Sequence, residues 1–354
     1  MTTRQHGGAP ADIDLEHVEL YVHDLDAQSA LWRDRYGFTE TGRGGAPEEG
    51  SRSVVLAQGA VRLVLTRATD ERHPAAGYVR AHGDGVADIA LRTRDLVGTV
   101  DRVVAAGGRV VRDARWFDDG EVLAVAAVSG FGDVTHTLVQ YREDRARALP
   151  LGAGTGLLAT DHFAVCVPAG GLAPLVDFYR AAFGFRVVFE ERIAVGPQAM
   201  LSRVLQSASG TVTFTVLQPD PGAAPGQLDA FLKDHGGAGV QHVAFAAEDA
   251  VASVTALADR GVEFLDTPDA YYRLLADRMT PRRHTTDELR RLGLLVDEDH
   301  GGQLFQVFTR SAHPRRTLFF EIVERCGART FGSANIKALY EAVEAERLAQ
   351  AAGR

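Results

Sequence analysis

Short runs of alternating apolar and polar residues recur along this chain, each followed by an apolar stripe with helical spacing. One unit begins at His17 with the run HVELYV and ends at the turn residues Gly37 and Phe38. A closely similar unit begins at His162 with the run HFAVCV and ends at Gly184. A period of two predicts a strand, and a period near 3.6 predicts a helix. The same strand–helix unit therefore occurs at two places in the chain.

A second pair of units follows the same plan, beginning at Gly83 and at Gly237. In each, a strand pattern leads into a helix pattern, and Gly107 or Gly261 stands where a helix C-cap is expected. Short apolar runs separated by turn residues come after the helices and predict antiparallel strands. These runs cover residues 53–66, 122–141, 200–217 and 303–323. The pattern predicts an α+β protein of two similar halves, each forming a half-open barrel.

The boundary between the halves is predicted near residues 142–156, where charged residues, Pro150 and glycines are typical of a linker. We therefore expect one domain over residues 1–150 and a second over residues 151–354. The length of 354 residues fits about two domains. At the C-terminal end, residues 333–349 have the periodicity of an amphipathic helix.

Composition narrows the class of protein without indicating its chemistry. Hydrophobic residues make up 45% of the chain and charged residues 24%, which is typical of globular proteins. The net charge of −9 argues against a general nucleic-acid binder or a binder of anionic membranes. No apolar run approaches the roughly 20 residues that span a bilayer, and the N-terminus has no signal-peptide core. Two cysteines exclude a disulfide scaffold, and we expect a cytoplasmic protein.

Three residues of the second half indicate a metal site. His162, His242 and Glu321 all lie in apolar runs that predict strands, at nearly equal spacing. A carboxylate among phenylalanines and isoleucine is costly to bury unless it is paired or bound to a cation. Two histidines and one carboxylate with open positions form the facial triad of non-haem Fe(II) oxygenases. The alternative is two core histidines with satisfied hydrogen bonds and a glutamate in a salt bridge.

The first half differs at the corresponding positions. His17 and Asp88 match the two histidines, and Gln140 or Tyr141 stands where the glutamate would match, depending on the gap. This set lacks the second imidazole. We therefore predict that only the second half binds metal, and that the first half serves structure and oligomerisation.

Several runs in the second half resemble the 4-hydroxyphenylpyruvate dioxygenase family of the vicinal-oxygen-chelate superfamily. They cover residues 237–245, 261–272, 301–309, 317–332 and 335–344. The resemblance implies a glyoxalase-like fold of paired βαβββ modules and Fe(II) bound by His162, His242 and Glu321. It also implies that the substrates are 4-hydroxyphenylpyruvate and O₂. A homo-oligomer, with a dimer favoured, is expected from the same resemblance.

The family has two chemistries, one forming homogentisate and the other (S)-4-hydroxymandelate, each with CO₂. At the position where the homogentisate-forming enzymes carry an asparagine facing the substrate, this chain has Leu217. At two C-terminal positions where they have phenylalanine, it has Ile336 and Tyr340. The runs 207–214, 297–306 and 330–344 resemble the hydroxymandelate-forming branch, which serves hydroxyphenylglycine and glycopeptide-type antibiotic biosynthesis. We therefore predict benzylic hydroxylation after oxidative decarboxylation.

The resemblance also implies roles for residues around the metal, with the C-terminal helix covering the site. Catalytic roles are expected for Gln306, Phe331, Asn335 and Tyr340. Substrate contacts are expected for Ser202, Thr215, Leu217, Gln227, Phe308, Phe319 and Ile336. For each the alternative is structural: phenylalanines packed in the core, Gln306 bonded to the backbone, Ser202 and Gln227 in solvent, and Tyr340 only in helix packing.

Three rival functions are left open by the sequence. The nearest is the homogentisate-forming dioxygenase. A second is a ligand-sequestering protein without catalysis, which predicts no tightly bound iron and no O₂ uptake with substrate. A third is a Zn or Ni isomerase of the same superfamily, whose sites commonly use more than one carboxylate.

Overall fold

The computed structural model describes residues 13–45, 50–143, 154–332, 334–335 and 337. Within these residues the chain forms two eight-stranded sheets with helices packed against them. Among the helices described there, none is long and apolar enough to cross a membrane.

The first sheet runs in the order β2-β3-β4-β1-β5-β8-β7-β6. Its strands are β1 (Asp14–Tyr21), β2 (Thr39–Gly44), β3 (Ser51–Gln58), β4 (Val61–Ala68), β5 (Gly85–Arg92), β6 (Val110–Trp116), β7 (Val122–Ser129) and β8 (Thr135–Tyr141). Its helices are α1 (Leu25–Ala30), which a π-helical turn (Leu31–Arg35) continues, α2 (Pro74–His82) and α3 (Leu96–Ala105).

The second sheet repeats this order as β10-β11-β12-β9-β13-β16-β15-β14. Its strands are β9 (Leu157–Cys166), β10 (Arg186–Val195), β11 (Gln198–Gln206), β12 (Thr213–Pro219), β13 (Gly239–Ala247), β14 (Leu295–Asp299), β15 (Gly302–Phe308) and β16 (Phe319–Cys326). Its helices are α4 (Leu172–Phe183), α5 (Gln227–His235), α6 (Ala250–Asp259), α7 (Asp269–Arg278) and α8 (Thr286–Leu292).

The strand pairing shows how each sheet is assembled from two four-stranded modules. In every module the first strand lies parallel to the last, as in β9 with β12 and β13 with β16. The first strands of the two modules then pair antiparallel, β1 with β5 and β9 with β13. The predicted α+β architecture of two similar halves with paired modules is confirmed. Gly107 and Gly261, predicted at helix ends, have φ values of 90° and 84°, which glycine adopts readily.

The halves share one continuous apolar core. Trp32, from the π-helical turn of the first half, is 1% exposed. Its indole lies 4.8 Å from the ring of Phe320 and 6.1 Å from that of Phe245, both in the second sheet. Phe320 precedes Glu321 on β16, and neighbouring strand residues point to opposite faces. The strand that carries Glu321 is therefore packed from behind by the first half.

Candidate active site

The structure brings His162, His242 and Glu321 together on three adjacent strands, β9, β13 and β16. The Nε2 atom of each histidine lies 3.3 Å from Oε2 of Glu321. One potential ligand atom from each residue lies within 4.8 Å of the others. Donors about 2 Å from one ion and at right angles to each other are about 3 Å apart. The spacing therefore fits a single metal ion held on one face, with room for other ligands opposite.

A β-bulge orients the first of these histidines. The register between β9 and β13 pairs His162 with Ala244 and Thr160 with Phe245, so Asp161 is an extra residue in β9. A bulge changes the direction in which a side chain points. Here Asp161 Oδ1 lies 2.7 Å from Nδ1 of His162. When Nδ1 carries the hydrogen that is donated to this carboxylate, the lone pair of Nε2 is free to bind a metal.

The charges around the three residues favour a cation. Burial opposes ionisation of Glu321, but the hydrogen bonds to both histidines outweigh it and lower its pKa to about 2. Burial also opposes protonation of His162, yet the hydrogen bonds to Asp161 and Glu321 raise its pKa to about 9. For His242 burial dominates and lowers the pKa. A metal ion would replace the proton of His162 as the counter-charge of Glu321.

Phenylalanine rings surround the two imidazoles. Phe319 stacks on His242 with 4.9 Å between ring centroids, and Phe308 meets the same ring edge-on at 5.8 Å. Phe331 meets His162 edge-on at 5.1 Å. All three were predicted near the site, and each is half-buried. They form apolar walls beside the metal position.

Polar atoms without hydrogen-bond partners also occur in this region. Within the described residues, buried side-chain atoms lacking a partner include Gln306 Oε1, Thr215 Oγ1 and Asn335 Nδ2. Buried polar groups are rarely left unpaired in native proteins. A bound polar ligand would account for such atoms. Ser202, also predicted to contact the substrate, is buried on β11 opposite Leu217 of β12.

Gly332, in the segment after β16, lies directly against the side chain of Gln306. Its φ is 71°, and a Cβ at this position would lie 2.0 Å from Gln306 Oε1. A larger residue would therefore displace the glutamine. Asn335 follows three residues later in the chain. Its side chain is held by Tyr271, whose hydroxyl donates a hydrogen bond of 2.8 Å to Asn335 Oδ1.

Leu217 contributes to an apolar part of the barrel. It packs in a cluster with Ala164, Cys166, Leu228 and Phe231. Strand β12 lies parallel to β9, which carries His162, and Leu217 pairs with Cys166 in that register. Leu217, which stands where the homogentisate-forming enzymes are expected to carry asparagine, is thus 8% exposed and surrounded by apolar side chains.

Three predicted residues are placed away from the site or are not described. Gln227 is the first residue of α5 and is exposed, so a substrate contact for it stays a prediction. Ile336 and Tyr340 lie outside the described residues, as does most of the predicted helix at 333–349.

The strand register of the first sheet shows which of its residues correspond to His242 and Glu321. Asp88 pairs with Thr135 on β8, as His242 pairs with Phe319 on β16. Two residues further along, Thr137 therefore occupies the position of Glu321, and the prediction of Gln140 or Tyr141 was wrong. Counting residues along the sequence placed the position that matches Glu321 too late in the chain, because the loops before β8 and before β16 differ in length.

A second group of possible metal ligands is better explained as a structural contact than as a metal site. It consists of Asp249, His284 and Glu324. Oε2 of Glu324 accepts hydrogen bonds of 2.7 Å from the amide of Ala250 and from His284 Nε2. Oε1 lies 2.6 Å from Nε of Arg283. Both oxygens are engaged, so this carboxylate joins β16 to α6 and to the loop before α8. His284 is buried although it lies in a polar stretch of the sequence.

Comparisons with known proteins agree with this geometry. Residues 16–122 and 159–307 match family models described as the Glyoxalase/Bleomycin resistance protein/Dioxygenase superfamily. A 4-hydroxyphenylpyruvate dioxygenase of Aspergillus fumigatus is 31% identical, covering 94% of this chain and 92% of its own. One from Xenopus tropicalis is 28% identical, covering 95% of this chain and 91% of its own.

Solved structures add a second kind of relative. A triply substituted variant of 4-hydroxymandelate synthase from Streptomyces coelicolor has a TM-score of 0.83 and 42% identity, covering 96% of this chain and 100% of its own. A fusion of a xylose isomerase-like TIM barrel with a 4-hydroxyphenylpyruvate dioxygenase has a TM-score of 0.73 and 27% identity. It covers 96% of this chain and 53% of its own.

The fold and the grouped side chains define a vicinal-oxygen-chelate protein with a candidate metal site in its second half. The chain belongs to the 4-hydroxyphenylpyruvate dioxygenase family, and it is an enzyme. Enzymes of this family depend on a metal and act on small-molecule substrates with O₂. The family resemblance seen in the sequence is thereby confirmed.

Proposed function

We propose that this enzyme converts 4-hydroxyphenylpyruvate and O₂ into (S)-4-hydroxymandelate and CO₂, with Fe(II) bound by His162, His242 and Glu321. The observation that carries the proposal is the grouping of this triad on β9, β13 and β16, next to strand β12, which carries Leu217 in an apolar cluster where an asparagine is expected in homogentisate-forming enzymes. The 42% identity to a 4-hydroxymandelate synthase over nearly the whole chain supports it.

The donor set suits Fe(II) in particular. Two neutral imidazoles and one carboxylate on one face are the ligands of non-haem Fe(II) oxygenases. When bound, Fe(II) supplies the site at which a 2-oxo acid chelates and O₂ is activated. The substrate carries its own 2-oxo acid group, so the reaction needs no second organic co-substrate. Both oxygen atoms of O₂ are accounted for, one in the new hydroxyl group and one in the carboxylate formed from the 2-oxo carbon, while the original carboxylate leaves as CO₂.

The protein's own residues position the substrate. Its aromatic ring fits between walls formed by Phe308, Phe319 and Phe331, which lie around the two imidazoles. The unpartnered Gln306 Oε1, Thr215 Oγ1 and Asn335 Nδ2 are available for its polar groups. These apolar walls also limit the access of water to the reacting carbon.

The choice of product depends on where the oxidant meets the substrate. The benzylic carbon and the ring carbon beside it are close neighbours, so a small tilt of the ring decides between them. Leu217 offers no hydrogen bond at the wall, whereas an asparagine would. We infer that the apolar wall leaves the benzylic carbon nearer the metal. A role in supplying hydroxyphenylglycine for glycopeptide-type antibiotics, a cytoplasmic location and a dimeric assembly stay predictions.

The test begins with metal and oxygen. The metal-free protein is loaded anaerobically with Fe(II), and O₂ uptake and CO₂ release are measured with 4-hydroxyphenylpyruvate. We expect equal amounts of O₂ consumed and CO₂ released. His242→Ala should bind no stoichiometric iron and consume no O₂.

His284→Ala is the matched control. His284 is also a buried histidine that contacts a glutamate of β16, but that glutamate, Glu324, has a structural role. The His284→Ala protein should retain iron and O₂ uptake. Stoichiometric iron in the His242→Ala protein would contradict the proposed ligand set. A wild-type protein that binds substrate without O₂ uptake would support a ligand-sequestering role instead.

A further inference from the structure

Arg325 forms a paired contact with the carboxylate that orients His162. It lies on β16, four residues after Glu321 and on the same face of the strand. Its Nε donates to Asp161 Oδ2 at 2.7 Å and its Nη2 to Asp161 Oδ1 at 2.8 Å. The same Oδ1 lies 2.7 Å from Nδ1 of His162. The guanidinium therefore fixes the plane of a carboxylate that in turn bonds a proposed metal ligand.

The other side of the guanidinium contacts the segment that follows β16. Nη1 of Arg325 donates to the carbonyl of Thr330 at 2.6 Å. Its Cζ lies 4.8 Å from the ring centroid of Phe331. Phe331 itself meets the ring of His162 edge-on. Arg325 thus reaches His162 by two routes, one through Asp161 and the other through Phe331.

The segment is also held from a second direction. Asp299, at the end of β14, accepts hydrogen bonds from the amides of Arg329 and Thr330. Two residues later, Gly332 lies against the side chain of Gln306. Correct placement of residues 329–332 therefore affects both the imidazole of His162 and a side chain proposed to contact the substrate.

We propose that Arg325 is a positioning residue that couples the orientation of His162 to the placement of residues 329–332. The inference rests on the proposed metal site but does not depend on which product is formed. An arginine is required because its planar fork binds a carboxylate through two parallel bonds and stacks on a ring at the same time. A lysine supplies charge but only a point contact.

The experiment compares Arg325→Met and Arg325→Lys with a control variant, Arg283→Met, in which a different arginine loses its contact to a carboxylate of the same strand. Arg283→Met breaks the contact to Glu324, whose carboxylate is likewise buried but belongs to the structural group. Co(II) affinity is measured by chelator competition. Hydrogen exchange of the amides of residues 329–332 is measured in the metal-free protein, and kcat and KM are measured after loading with Fe(II).

We expect both Arg325 variants to lose about 10–100-fold in Co(II) affinity, the usual effect of removing a group that orients a metal ligand. Amide exchange in residues 329–332 should be faster in both. Arg283→Met should lose thermal stability while its Co(II) affinity stays within about twofold of wild type. A lower kcat with both Arg325 variants, together with these changes, would support a positioning role.

Two results would overturn the proposal. One is a Co(II) affinity and an exchange pattern in Arg325→Met that match wild type. The other is full restoration of both by Arg325→Lys, which would reduce the role to charge neutralisation. If Arg325→Met does not fold, Arg325→Lys decides alone. Because the exchange measurement uses metal-free protein, failure here is distinguishable from failure of the proposed reaction.

Discussion

Trp32 meets Phe320 edge-on, with 4.8 Å between the ring centroids and 69° between the ring planes. Phe320 and Glu321 are neighbours on β16 and face opposite sides of the second sheet. A residue of the first half therefore supports the strand that carries the proposed metal carboxylate. The first half contributes to the site in this way although its own matching residues differ.

The Trp32→Ala variant should lose about 3–5 kcal/mol in free energy of unfolding, because the substitution leaves a cavity between the two sheets. Chemical denaturation of the metal-free protein measures this loss. Trp116→Ala is the control, since Trp116 is 53% exposed and its removal should change stability by about 0.5 kcal/mol or less. Equal losses in the two variants would argue against a shared core.

Metal analysis should find one ion per chain. In the first half Thr137 stands at the position of Glu321, and Asp88 already accepts hydrogen bonds from Thr135 and Thr137. Asp88→Asn should therefore keep the full metal content. Elemental analysis after anaerobic loading and desalting checks this. Two ions per wild-type chain, or loss of the ion in Asp88→Asn, would contradict the assignment to the second half.

Metal affinity should rise with pH. Hydrogen bonds to Asp161 and Glu321, working against burial, raise the pKa of His162 to about 9, so the metal-free site holds a proton that metal must displace. Glu321, with a pKa of about 2, is already ionised and releases none. Co(II) affinity should increase by about tenfold per pH unit from pH 6 to 8.

The raised pKa of His162 also makes the stability of the metal-free fold fall as the pH rises, which is opposite to the trend in metal affinity. A raised pKa stabilises the fold fully below the unfolded value of about 6.5, and this contribution is lost as the pH rises through 9. Chelator competition and denaturation across the pH range measure the two trends. A Co(II) affinity independent of pH would contradict a protonated His162.

Leu217→Asn should move the product mixture towards homogentisate. An amide at this wall can hydrogen-bond the substrate and change the tilt of its ring, whereas Leu217 packs among apolar side chains. Chromatography should show homogentisate rising from a trace to a clearly measurable fraction. Leu217→Met keeps the wall apolar at similar volume, and its product mixture should match wild type.

Thermal unfolding of both Leu217 variants shows whether a change of product comes from loss of structure. A buried amide without a partner costs about 1–3 kcal/mol, so Leu217→Asn should be the less stable of the two. An unchanged product mixture in a folded Leu217→Asn protein would show that position 217 does not select the product.

The sequence was sufficient to predict the architecture and the grouping of His162, His242 and Glu321. The repeated strand–helix units predict the fold, whereas the local pattern left a salt-bridged alternative open and the family resemblance favoured a metal site. The role of Asp161 could not be predicted in the same way. Strict alternation places it on the face opposite to His162, and only the bulge in β9 brings the two side chains together.

Contacts between distant segments explain the other differences. Thr137 takes the place of Glu321 because of the register between β5 and β8, which a count of residues cannot give when loops vary in length. His284 lies in a polar stretch of sequence but is buried, because Glu324 from β16 reaches it. Arg325 gains its partners from β9 and from the segment after β16, two regions that sequence spacing does not connect.

The identity of the product tests the central claim most directly. Wild-type enzyme loaded with Fe(II) is supplied with 4-hydroxyphenylpyruvate, ascorbate and O₂, and the products are separated by chromatography on a chiral column. The proposed function predicts (S)-4-hydroxymandelate as the main product, in amounts equal to the CO₂ released. Homogentisate as the main product would contradict it.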